Sequence, residues 1–153
     1  MYQLIDNKTE ERIEQIIKGD YLSTALGTID KDNYPLVTKI IPMYFNNITF
    51  LLMSDLSEHT KNISTNNKVC IYFFLKEEKK QKANNARLSV TGKLEKLNYK
   101  KNSKNFILLM KQYQNVEIGS ELWGNFTDFN FYGFQPLKLL YIEGFGKAYN
   151  KIY

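Results

Sequence analysis

Apolar residues recur along this chain with two different periods, and each change of period marks an element. In "NKTEERIEQIIKGD" a polar capping candidate and acidic first-turn residues lead into Ile13, Ile16 and Ile17 on one helical face, and Gly19 stands where the helix would stop. A single apolar stripe of this kind must pack on something else. From residue 21 the period falls to two. "STALGTID" is a β-rich run, "KDNY" is turn chemistry, and Pro35 can open a strand without losing a ladder bond. "PLVTKIIPMYF" then reaches "NN", a hairpin signal, and "ITFLLMS" returns. The inner Pro42 predicts a bend, a bulge or an edge within the middle strand.

Further along, "SEHTKNISTNN" carries a cap-like Ser57 and one strong apolar residue, Ile63, which predicts a short helix over a barrel mouth. "KVCIYFFL" is nearly continuous apolar, as in a strand buried on both faces. "KEEKKQKANN", residues 76–85, reads as a solvated loop, and "ARLSVTGKLEKL" as a long alternating strand. "NSKNFILLMKQYQ" gives a second helix through Phe106, Leu109 and Met110, and "DFNFYGFQPLKLLYIEGFGKAY" a last strand pair bent at Gly144 and Gly146. Strands outnumber helices and follow in hairpin order. The pattern predicts a mainly β protein, an antiparallel barrel with flanking helices. No repeat or Pro/Gly-rich linker divides the 153 residues, so one domain is expected, with residues 1–20 as a helix packed on the barrel.

Composition supports this picture. Eleven Tyr and ten Phe suit sheets better than a helical bundle. The formal net charge of +5 favours anionic partners: a phosphate-bearing cofactor, nucleic acid or a membrane surface. The lysines, however, crowd into "KEEKKQK" and "NYKKNSKNF", where a solvated surface is the plain reading. No RNA-binding motif accompanies them, so neither nucleic acid nor membrane is the expected partner. Cys70 is the only cysteine and sits in an apolar run, which points to a buried structural thiol. With no signal-like N-terminus and no apolar run long enough to span a bilayer, a soluble, reducing, cytoplasmic setting is expected.

Candidate chemistry is sparse. CxxC, HExxH, P-loop and GxGxxG patterns are absent, and one His with one Cys makes a metal site improbable. "EGFGKA" lacks the frame of a phosphate loop. No residue stands out as a catalytic base, and Ser57 is too close to His59 in sequence for an obvious hydrolytic pair. The positive signal is "MSDLSEHTKN". Ser54 ends a strand, while Thr60 and Lys61 lie at the start of the next helix. A helix N-terminus offers free N–H groups and a partial positive charge, so a hydroxyl and an ammonium there suit a phosphate monoester. Arg87, one of two arginines, opens the long strand, where it needs solvent or an anion.

The ordered set "LGTIDKDNYPLVTKIIPMYF", "LLMSDLSEHTKNISTNNKVCIYFF" and "ARLSVTGKLEKL" resembles the FMN-binding split barrel of the pyridoxamine 5′-phosphate oxidase-like superfamily. With "SDLSEHTKNI" and "DFNFYGFQPLKLLYIEGFGKA", the resemblance is closest to the barrel domain of the HugZ-type haem-utilisation branch, over about residues 20–148. It implies a homodimer with two symmetry-related sites at the subunit interface. It also implies an FMN-dependent oxidoreductase acting on a small planar substrate, or a haem-binding or haem-degrading protein that uses the same cleft. Thr38, Lys39, Thr60 and Lys61 would hold the phosphate and ribityl chain. Met53, Ser54 and Asp55 would lie along the ribityl chain or ring, and Arg87 and Ser89 would reach the cofactor from the partner.

Two departures bear on that expectation. Thr38 stands where the oxidase itself has a second-strand arginine, and His59-Thr60-Lys61 where it has Ser-Arg-Lys. Each missing charge-assisted bond is worth about 1.5–3 kcal/mol of phosphate affinity. His59 is open to two readings, an iron ligand or flavin contact on one side and a capping histidine on the other. Trp123 and "FTDFNFYGF" likewise either stack on a planar ring or fill a core or interface, and the second is the plainer reading.

Overall fold

The computed structural model describes residues 2–153. Helix α1 (Asn7–Lys18) begins at Asp6, whose carboxylate accepts from the Thr9 amide at 2.8 Å, and stops at Gly19, where φ is 138°. Only glycine adopts that φ without strain. Its stripe buries Ile13 and Ile16.

Strands β1 (Ser23–Ile29) and β2 (Pro35–Ile40) form the first antiparallel pair, and β3 (Pro42–Phe45) and β4 (Ile48–Ser54) the second. The β3–β4 turn is Asn46-Asn47, with φ of 49° and 61°. Positive φ at both central residues is the hairpin geometry that asparagine tolerates. Helix α2 (Glu58–Thr65) and β5 (Lys68–Phe74) follow, then a 3-10 turn at Lys82–Asn84, β6 (Arg87–Lys96), α3 (Lys104–Tyr113), α4 (Ser120–Trp123), β7 (Phe129–Gly144) and β8 (Lys147–Ile152).

The sheet runs β2-β1-β5-β6-β7-β4-β3, with β8 on β7. The two ends of this path, β2 and β3, are separated in sequence only by Ile41, so the sheet curls back on itself. Pro42, which starts β3, is where one continuous run leaves β1 and joins β4. The architecture is therefore mainly β, an antiparallel split barrel with flanking helices, as the sequence predicts. The sixteen-residue β7 holds it together: one edge pairs with β6 from Tyr132 to Ile142, the other with β4 and then β8.

Two cores result. Leu26, Leu51, Met53, Ile71, Leu88, Val90, Leu94 and Leu139 fill the barrel, joined by Ile13 and Ile16 of α1 and Ile63 of α2. Outside the wall, Met43, Phe50, Leu52 and Phe131 pack against Phe106, Leu109, Met110 and Tyr113 of α3. Alternate residues of β4 serve the two cores, which is why Phe50 through Met53 are all buried.

β5 departs from its expectation. Val69, Ile71 and Phe73 point into the barrel, but Cys70 and Tyr72 are half-buried and Phe74 is exposed. Its apolar run reflects two different environments, an interior and a sheet face that no helix of this chain covers. The 76–85 segment is more organised than a solvated loop. Buried Asn85 accepts from the Glu78 and Lys79 amides at 3.0 and 2.8 Å and donates to the Lys79 carbonyl at 3.0 Å.

Candidate functional site

The step from β4 into α2 supplies the site. Ser54 ends the strand with its hydroxyl donating to the Asp128 carboxylate and accepting from the Leu56 amide at 3.1 Å. Ser57 then takes the extended backbone of an N-cap, yet its hydroxyl makes no capping bond. The Thr60 and Lys61 amides bond the Ser57 carbonyl at 3.0 and 3.1 Å, while the amides of Glu58 and His59 have no backbone acceptor among the described residues. A helix start with an uncommitted hydroxyl and free N–H groups is a donor set for an anion.

A cleft of about 210 Å³ opens onto this helix start. The β2–β3 step contributes Lys39 and Ile41, β4 contributes Met53 and Ser54, and α2 contributes Ser57 and His59. Tyr113 of α3, Trp123 of α4 and Phe129 of β7 form the opposite wall. The Tyr113 hydroxyl donates to the Ile41 carbonyl at 2.6 Å, and burial pushes its pKa up. The indole of Trp123 stacks on Phe129 with centroids 5.7 Å apart and planes 22° from parallel. Trp123 and Phe129 also pack against the outer core, as the plainer sequence reading expects, so one face of this wall is core and the other lines the cleft.

His59 is half-buried, with Nδ1 2.9 Å from Thr38 Oγ1, and desolvation lowers its pKa from the usual value. Desolvation thus favours the neutral ring. Thr38 orients it without lining the cleft. Thr60 is buried beneath the helix, its hydroxyl without a partner among the described residues.

Other anticipated residues lie elsewhere. The Lys61 ammonium meets Glu58 at 2.6 Å on the exposed side of α2, so the cation lining the cleft is Lys39 and not Lys61. Glu58 and Lys61 lie on one solvent-facing turn, which sequence alone could not orient. Asp55 turns away from the cleft. Its carboxylate takes both bonds from Lys96 at 3.0 Å, another from Asn130 at 2.9 Å and a longer one from Tyr132 at 3.4 Å. Burial, with the Asp55 charge beside it, pushes the Tyr132 phenol up to about 12. Asp55 thus ties the end of β4 to β6 and β7.

Arg87 and Ser89 sit on the outer face of β6, three strands from β2 in the sheet order, roughly 14 Å at the usual strand spacing. The Arg87 guanidinium donates to the Asn85 carbonyl at 3.1 Å and, more weakly, to Ala83 at 3.3 Å. Within one chain these two residues do not meet the cleft. Ile41, Ser57 and Tyr113 line the cleft although the sequence reading did not single them out for ligand contact, and Asp128 holds the Ser54 hydroxyl beside it; only Ser57 carried a local signal, its cap position.

Known structures share this architecture. ChuZ of Campylobacter jejuni superposes with a TM-score of 0.83 at 20% identity, covering 98% of this chain and 61% of its own. A haem-binding protein from Mycobacterium smegmatis gives 0.80 at 14% identity, covering 98% of this chain and 60% of its own. HutZ, the haem storage protein of Vibrio cholerae, gives 0.69 at 22% identity over 83% of this chain and 89% of its own. A Clostridium acetobutylicum protein related to general stress protein 26 of B. subtilis, of the pyridoxinephosphate oxidase family, gives 0.71 at 20% identity, covering 97% of this chain and 96% of its own. This chain thus spans about three-fifths of the length of two of these relatives. No curated protein matches its sequence. These structures share the split-barrel fold, and the family model described as "CREG, beta-barrel" matches residues 24–152, nearly the whole chain, which shows that this protein belongs to the CREG β-barrel family.

Proposed function

We propose that the α2 cleft binds flavin mononucleotide, that a second copy of the chain completes it, and that the protein is an FMN-dependent oxidoreductase acting on a small planar substrate. The observation that carries this reading is the uncapped start of α2, facing a cleft with an aromatic wall. A phosphate monoester fits the donors: the Glu58 and His59 amides, the Ser57 hydroxyl and the Lys39 ammonium. Trp123 and Phe129 present flat apolar area to a ring system, and Met53 with Ile41 forms its floor. Bound flavin would supply the redox chemistry, while these residues anchor, orient and exclude water.

A second copy is part of the proposal because the outer face of β1, β5, β6 and β7 is bare. In register across it lie Ala25, Tyr72, Ser89 and Leu140 in one row and Phe74, Arg87 and Ile142 in the next. Apolar and small residues in rows of this kind make a flat self-complementary surface. Pairing there would carry Arg87 and Ser89 of one protomer toward the other's cleft.

Haem is the second reading, and His59 favours it. In the tautomer that donates from Nδ1 to Thr38, the neutral ring keeps a free Nε2 lone pair, the orientation typical of a metal-ligating histidine. Lys39 would then meet a propionate.

Titration of the purified protein with FMN and separately with haemin distinguishes the two. The FMN reading expects flavin fluorescence quenched at one FMN per chain, with affinity falling at least tenfold in Lys39→Ala, the loss of one charge-assisted bond. It fails if FMN is not bound while haemin gives a Soret band that shifts in His59→Ala.

A further inference from the structure

The end of β4 that enters the barrel, far from α2, opens into a larger space. Between α1, the β3–β4 turn and the end of β8 lies a cavity of about 350 Å³. Protein interiors are packed to crystal density and rarely leave a void larger than a water molecule. A cavity of this size falls within the range of small-ligand pockets.

We propose that this lumen is a second ligand site, for a neutral, mainly apolar molecule of one or two rings carrying a single hydrogen-bonding group. Its walls are Ile71 and Phe73 of β5, Val90 of β6, and Phe134 and Leu139 of β7, all in the barrel core. Among the described residues, Thr49 supplies the only buried polar side chain on these walls. An apolar chamber with one hydroxyl selects for one polar group on its occupant, because an ionised group buried there would be left unpaired.

The rim reinforces neutrality. Glu14 holds Lys18 at 2.9 Å, and Glu10 holds Lys151. The same two cations lie over the rings of Tyr44 and Tyr153, at 5.9 and 5.4 Å from the centroids. Two acids and two bases already matched in pairs leave no spare charge for an ionised ligand. On the β6 side, Gly92 has no side chain, and this seats the Phe134 ring that forms part of the wall. A Cβ there would stand 2.8 Å from the Phe134 ring, which rests in that space.

The inference rests on nothing assigned to the α2 cleft, and one experiment separates them. Methyl-labelled protein is titrated with indole, a neutral two-ring molecule with one N–H donor. The expected result is saturable shifts confined to methyls of Ile71, Val90 and Leu139, with indole-3-acetate at least tenfold weaker. Val90→Phe, which fills the chamber, should abolish the shifts. Thr49→Val, nearly isosteric, should weaken indole at least threefold and serves if the first variant does not fold. Shifts centred instead on Met53 and Ile41, no saturation, or unchanged affinity in the folded variants would overturn the assignment.

Discussion

At the residue scale, His59 and Gly92 show what position adds to residue type. Burial lowers the His59 pKa from its ordinary value of 6.5, so the folded protein binds that proton less readily than the unfolded chain. The stability linked to this ring is present above the unfolded pKa and is lost as pH falls toward the folded one. Thermal unfolding followed between pH 7.5 and 5 should show a decline in wild type that is shallower in His59→Gln. Equal slopes would mean that the ring is not desolvated. For Gly92, an added Cβ would lie 2.1 Å from the Gln135 carbonyl oxygen, where the β6–β7 register shifts. Backbone cannot yield as a flexible side chain does, so Gly92→Ala should cost about 1–3 kcal/mol or more in denaturant unfolding. Gly133→Ala, whose Cβ would meet Leu97 at an ordinary 3.7 Å, should be tolerated.

Among the elements, α2 and α3 make a controlled comparison. Both begin at a serine in extended backbone, but Ser103 accepts from the Phe106 amide at 3.3 Å whereas Ser57 makes no capping bond. Ser103→Ala should therefore cost about 1 kcal/mol of stability. Ser57→Ala should leave the free protein nearly unchanged and weaken FMN binding instead. Chemical denaturation of both variants, beside FMN titration of the second, checks the pair; comparable stability losses would show that Ser57 merely caps its helix. The helix itself is seated by a polar contact that sequence pattern hides, Asn62 donating to the buried Thr28 hydroxyl at 3.0 Å. Ile63 is the one strong apolar residue of α2, yet Thr60 and Asn62 are buried beside it.

On the scale of the whole molecule, the uncovered outer face is the feature with most consequence. Tyr72, Leu140 and Ile142 are half-buried and Phe74 is exposed on a sheet that no helix covers. Under the proposed pairing, placing an arginine at Leu140, in the centre of that face, should leave a monomer by light scattering where wild type is dimeric, and remove FMN binding with it, since a charge buried at an apolar contact is unpaired. A Leu140→Arg protein that stays dimeric, or a monomer that binds FMN as tightly, would detach the cleft from the interface. Substitution on α1, at the other mouth, should change neither property.

Local pattern carried much of this protein's design. The helical stripe of α1, the Asn46-Asn47 hairpin, the break at Pro42 and the alternation of β6 follow from backbone sterics and side-chain period, which act over a few residues and so are written in them. The helix start at Ser57 was legible for the same reason. Tertiary structure alone decided which way each polar side chain turns. Lys61 and Lys39 are alike in sequence signal, yet one is committed to a surface ion pair and the other lines the cleft; Asp55 and Asp128 are equally alike, yet one is tied to Lys96 and the other holds the Ser54 hydroxyl. Such choices depend on groups as far away as β7, and on whether a face meets a core, a helix or nothing, and no local period encodes them.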